Sequence, residues 1–110
     1  MLQQLTKESD IETVIKSPAL TWLFKHSNAC SVSSAAFDEV QNFLTAHPEQ
    51  NVSMIVVQTH RPLSNVVASQ LKHVHQSPQL FLLKEGHVLW SATHWSITAP
   101  AMTLALKKAG

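Results

Sequence analysis

Cysteine is nearly absent from this 110-residue chain, Cys30 being the only one. A lone cysteine cannot close an internal disulfide, so it is either an inert buried side chain or a thiol kept available in a reducing compartment. Charge is scarce too. Asp, Glu, Lys and Arg make up 14% of the residues and leave a formal charge of +1, with no basic stripe that could neutralise a row of phosphates. Nucleic acid is therefore not expected as a partner. No apolar run reaches membrane-spanning length, and Met1-Leu2-Gln3-Gln4-Leu5-Thr6-Lys7 lacks the basic flank and apolar stretch of a signal peptide. No membrane partner is expected, and the expected location is the cytoplasm.

Hydrophobic residues, by contrast, are plentiful at 45%, a balance that folds. Two independent cores would each be too small for burial to offset chain entropy, so a single domain over residues 1–110 is expected.

Hydrophobic periodicity orders the elements. Leu2 to Leu5 reads as a short edge strand. A helix follows, with Ser9 and Glu12 in capping-box spacing and Ile11, Val14 and Ile15 as its apolar face. Ser17-Pro18 ends it, and Leu20 to Phe24 is a short apolar run of buried-strand type that stops at Lys25-His26-Ser27. From about Cys30 to His47-Pro48, Ala36, Phe37, Val40, Phe43 and Leu44 recur at helical spacing. Val52 to Val57 is a β-branched strand, and Pro62 suits the first turn of a third helix carrying Leu63, Val66, Val67 and Leu71. Gln79 to Leu83 and Val88 to Trp90 flank a short glycine-containing connection, the pattern of an antiparallel hairpin. Thr98 is placed to cap a last helix that ends in Lys107-Lys108. The resulting order, β-α-β-α-β-α-β-β-α, predicts an α/β fold with a central mixed sheet flanked by helices, and it matches the thioredoxin-like fold.

Cys30 falls where the second strand hands over to the longest helix, so free backbone N–H groups and the positive end of the helix dipole favour its thiolate. At the unperturbed pKa near 8.5 only roughly 3% of a thiol is ionised at pH 7, whereas a pKa of ~6.5 leaves about three quarters reactive. A packing cysteine is the ordinary alternative. The polar neighbours Ser27, Asn28, Ser31 and Ser33 argue instead for a wet helix start. Cys30-Ser31-Val32-Ser33 has C-x-x-C spacing with serine in place of the second cysteine, so any mixed disulfide formed on Cys30 needs an external thiol to resolve it. Ser33 either hydrogen-bonds the thiolate or satisfies N–H groups of the helix end. Lys25 and His26 are close enough in sequence to stabilise a thiolate, although strand-end side chains often point into solvent. Pro78 alone reads as an ordinary turn residue before a strand.

Four blocks, Phe24 to Ser33, Arg61-Pro62-Leu63-Ser64-Asn65, His75-Gln76-Ser77-Pro78-Gln79 and His94-Trp95-Ser96-Ile97-Thr98, occur in that order over nearly the whole chain. Together they resemble the bacillithiol-system YtxJ family, the monothiol bacilliredoxins. That family often has proline after the cysteine where this chain has Ser31, a difference that bears on the rigidity of the helix start and the pKa of the thiol. The resemblance implies a cis peptide bond at Ser77-Pro78, facing the nucleophile and presenting the Ser77 backbone to an extended substrate.

The resemblance also implies a debacillithiolating monothiol oxidoreductase. Bacillithiol is its co-substrate, no cofactor is tightly bound, and the partners are bacillithiolated client proteins, free bacillithiol and other bacilliredoxins. Arg61 is then either a partner for a bacillithiol carboxylate or a solvated charge, and the roles of His94 and Trp95 are not legible from their chemistry. Seven histidines, including His26 near Cys30 and the His73-Val74-His75 pair, lack diagnostic metal spacing, so no metal is expected. Two other functions compete. Monothiol glutaredoxins carry iron–sulfur clusters on a C-x-x-S motif, but theirs reads C-G-F-S and this chain lacks that glycine. A redox-silent thioredoxin-like interaction or stress protein would leave Cys30 incidental.

Overall fold

The computed structural model describes residues 1–27 and 31–110. Its elements follow the expected order: β1 (Leu2–Gln4), α1 (Glu8–Lys16), β2 (Thr21–His26), α2 (Ser31–Ala46), β3 (Val52–Val56), α3 (Arg61–Leu71), β4 (Gln79–Lys84), β5 (His87–Thr93), a 3-10 turn (His94–Ser96) and α4 (Ala99–Ala109). The five strands form one sheet in the order β1-β3-β2-β4-β5. β3 runs parallel to β1 and β2, whereas β4 is antiparallel to both β2 and β5. The mixed α/β thioredoxin-like architecture read from the sequence is therefore the one observed.

Two hydrophobic clusters cover the two faces of the sheet. Alternation along β2 sends Trp22 and Phe24 to one face, where they pack with Val40 and Phe43 of α2 and Met102 and Ala105 of α4. Leu23 points to the other face, with Ile11 and Ile15 of α1 and Leu63, Val67 and Leu71 of α3. Both faces being covered, β2 reads as a nearly continuous apolar run rather than an alternating one. Trp22 anchors its side through edge-on contacts with Phe43 and Trp90, at centroid separations of 5.1 and 6.1 Å. Its indole N–H donates to Gln50.

Local chemistry accounts for most element boundaries. Pro62 sits in the first turn of α3, where its missing N–H costs nothing, and Lys72 ends that helix in the left-handed region at φ 55°. Thr98 caps α4 by accepting from the Ala101 N–H at 3.2 Å. The β4–β5 hairpin turns at Glu85 and Gly86, both with positive φ (51° and 80°), as a two-residue turn matched to sheet twist requires. Among the described residues no helix is long and apolar enough to cross a membrane.

Apart from shifts at other ends, such as β5 running on to Thr93 where the sequence reading stopped at Trp90, two boundaries differ in their chemistry. Ser9 is not the cap of α1. The helix begins at Glu8 after an extended Lys7, whose carbonyl accepts from the N–H groups of Asp10 and Ile11, and the Ser9 carbonyl accepts from the Thr13 hydroxyl. Glu8 and Asp10 in the first turn favour this start through the helix dipole, and no side-chain cap is needed. The second difference matters more for function. β2 continues past Phe24 through Lys25 and His26, paired with β3 as far as His26 and with β4 as far as Lys25, and both side chains are buried under other parts of the fold rather than solvent-facing.

Candidate functional site

The C-terminal end of β2 is where the sequence-designated residues meet. Asn28, Ala29 and Cys30 lie outside the described residues, so the nucleophile candidate itself is placed by sequence alone, between Ser27 and Ser31. The residues on either side of it are tied together. Ser33, fully buried in the first turn of α2, accepts the Ser27 backbone N–H at 3.2 Å. The N–H that Ser33 accepts belongs to Ser27, just past the end of β2, and not to the end of α2, so this contact differs from both roles weighed for it. Ser27 is held further by Gln58, whose side-chain amide donates to the serine hydroxyl, and the Val57 N–H donates to the His26 carbonyl at 2.8 Å. His26 is itself buried, its ring lying against Phe24 and Phe37 at 5.6 and 5.2 Å.

Ser77 and Pro78 arrive beside this strand end. The Ser77–Pro78 bond is cis, as the family resemblance implied. Gln79, the next residue, pairs with Lys25 across the β2–β4 ladder. Its buried side chain also fastens the preceding segment, donating to the Val74 carbonyl at 3.3 Å and accepting the Gln76 N–H at 3.2 Å. On the far side the His94 N–H donates to the Pro78 carbonyl at 3.1 Å, which brings the His94–Trp95 block to the site through its backbone. His94 takes positive φ (52°) to make that turn, and its side chain is exposed. Trp95, 69% exposed, borders a groove of about 360 Å³ with Ala35, Asp38 and Glu39 of α2. The Ser77 hydroxyl oxygen is buried and has no hydrogen-bond partner among the described residues.

The cation at this strand end is Lys25. Its side chain is fully buried on the α1/α3 face, with Nζ 3.2 Å from Nδ1 of His75. The same nitrogen lies 2.9 Å from the Ser64 hydroxyl, itself fully buried on α3. Burial lowers the Lys25 pKa to about 8. It also lowers that of His75, helped by the positive charges of Lys25 and then Arg61. Arg61 is exposed at the start of α3, close enough for its charge to reach His75.

The sequence reading gave Ser64 no role beyond its place in the Arg61–Asn65 block, and weighed His75 as part of the His75–Gln79 block and as a metal ligand paired with His73. The two rings in fact serve different ends: the His73 Nδ1–H donates to the Leu71 carbonyl and its ring stands edge-on to Phe81. The signal that could have exposed the Lys25 contact was the strand itself. Extending β2 by two residues puts Lys25 on the face of Leu23, beneath α3 and the segment before Pro78.

Comparison with known proteins agrees with this geometry. The family model described as "Monothiol bacilliredoxin BrxC" matches residues 3–102. A solved protein described as having a thioredoxin fold and a provisional oxidoreductase assignment superposes with a TM-score of 0.87 at 28% identity, over 96% of this chain and 93% of its own. Mitochondrial thioredoxin 3 from Saccharomyces cerevisiae, in its oxidised form, gives a TM-score of 0.74 at 15% identity, covering 97% and 94% of the two chains. Thioredoxin from Trypanosoma brucei brucei gives 0.79 at 9% identity, with 99% and 90% covered. The last two similarities speak to the fold.

Proposed function

The chain belongs to the monothiol bacilliredoxin family, a family of thiol redox proteins, and on that premise we propose that it removes bacillithiol from mixed disulfides on cytoplasmic client proteins. The Cys30 thiolate attacks the bacillithiol-side sulfur of the client disulfide. That bond breaks, the client cysteine leaves as a thiolate and takes up a proton, and bacillithiol remains disulfide-bonded to Cys30. No electrons are gained or lost overall in this exchange. The chain has no second cysteine, so an external thiol, free bacillithiol or another redoxin, attacks the Cys30-bacillithiol bond, regenerates Cys30 and carries the disulfide away.

The observation that carries this reading is the convergence at the end of β2. The Ser27–Ser33 bond joins the two sides of the Cys30 position, and the Ser77-Pro78 joint leads into the strand that pairs with Lys25. In this reading Cys30 is the nucleophile and Lys25 and His26 form its electrostatic surroundings. Ser27 and Ser33 brace the helix start. Ser77 and Pro78 face the client segment, Arg61 offers a cation to a bacillithiol carboxylate, and His94 and Trp95 line the approach.

The test incubates the protein with a bacillithiolated client and follows release by mass spectrometry, alongside Cys30→Ala. Release by the wild type and none above background by the variant is the expected result. Equal, slow release by both defeats the proposal. An absorbance spectrum after iron–sulfur reconstitution is expected to show no cluster bands.

A further inference from the structure

The polar cluster that thiol exchange does not by itself require is the one centred on His75. Nδ1 of this ring joins three segments, facing the Lys25 ammonium of β2 at 3.2 Å and the Ser64 hydroxyl of α3 at 2.9 Å, while its own backbone belongs to the segment leading into Pro78. An ammonium can only donate, so Nδ1 is the unprotonated, accepting nitrogen and the ring proton sits on Nε2. Lys25 and Ser64 are both fully buried, so neither has water as a ready alternative partner.

We infer that His75 is a positioning residue for the exchange, a proton-operated latch that, when neutral, fastens the segment before Pro78 to the end of β2 and to α3 and, when protonated, releases it. The inference rests on the redox reading, because that chemistry uses the mutual position of the β2 end and Pro78. Protonation takes away the acceptor that holds Lys25 and sets an imidazolium against its ammonium, leaving the Ser64 hydroxyl as the acceptor still facing Nδ1. The charged groups facing His75 are Lys25 from β2 and Arg61 from α3. β4 contributes the neutral Gln79, and no carboxylate among the described residues acts on the ring. The same surroundings keep the ring neutral below the usual histidine range. The latch is therefore closed at neutral pH and opens only in more acidic solution.

The test uses the full-length reduced protein, ¹⁵N-labelled, with three readouts. Imidazole NMR should show Nδ1 unprotonated at pH 7, a His75 midpoint below the ordinary histidine value, and amide signals of Gln76, Ser77 and Gln79 moving with that midpoint. Exchange with a bacillithiolated peptide should slow about fivefold in His75→Ala, on the scale of ordinary coupling energies, mainly through KM. Alkylation of Cys30 by iodoacetamide, which needs no client segment, should stay near the wild-type rate. His75→Asn, whose Oδ1 stands where Nδ1 did, should restore most of the lost rate and remove the acidic fall in the peptide pH profile.

A His75 midpoint in the ordinary range, or one unaccompanied by changes at those amides, overturns the latch. So does an alkylation rate that falls in step with peptide exchange in His75→Ala. If that variant does not fold, the NMR titration and His75→Asn still decide. A wild type that shows the NMR signature yet exchanges with no peptide refutes the redox reading instead.

Discussion

Replacing Lys25 with methionine should make the protein more stable at neutral pH, although it deletes a hydrogen bond. Burial strips water from the ammonium and lowers its pKa from the usual 10.5 to about 8, so keeping it charged at pH 7 costs about 3 kcal/mol. Methionine has nearly the same length and no charge to desolvate. Its cost is the lost donor to His75 Nδ1, roughly 1 kcal/mol while Ser64 still occupies that nitrogen. The net expectation is a stabilisation of about 2 kcal/mol, which for a chain of this size raises Tm by roughly 8 °C.

The pH dependence gives the argument its sharpest form. Between pH 8 and 10.5 the unfolded lysine holds a proton that the folded one has released, so wild-type stability rises with pH through that window. The advantage of Lys25→Met is thus full below pH 8 and fades as pH approaches 10.5. Urea unfolding at several pH values, followed by circular dichroism, measures both variants. A variant less stable than the wild type at pH 7, or a difference that stays constant from pH 8 to 10.5, refutes the assignment of Lys25 as a desolvated buried cation. Removing this charge should also bring the His75 midpoint back toward its ordinary value, since Lys25 is the second cause of its depression.

Two structural predictions follow from the packing and the caps. Phe43→Ala, at a fully buried position edge-on to Trp22, should cost about 3 to 5 kcal/mol, and an unfolding midpoint within error of the wild type would contradict the core described here. Thr98→Ala should cost about 1 kcal/mol by removing the acceptor for the Ala101 N–H, seen as a Tm drop of roughly 4 °C, and an unchanged Tm would show that the cap bond contributes nothing.

Order and type of element were written locally, in apolar spacing and in punctuating residues such as Pro62, Thr98 and the Glu85-Gly86 turn, because those preferences act within a few residues of chain. The place of Cys30 ahead of the longest helix was read from the same spacing, whereas the cis bond at Ser77-Pro78 came from the family resemblance, Pro78 by itself reading as an ordinary turn residue. Tertiary structure alone decided the strand order, the bond from Ser33 back to Ser27, and the fate of Lys25. Extending the strand pattern puts Lys25 on the face of Leu23, but nothing near it in sequence says what covers that end of the face. Ser64 and His75 do, brought over it by α3 and the segment before Pro78 from 39 and 50 positions away. Whether a polar side chain meets water or protein depends on what covers it, and here the cover comes from distant parts of the chain.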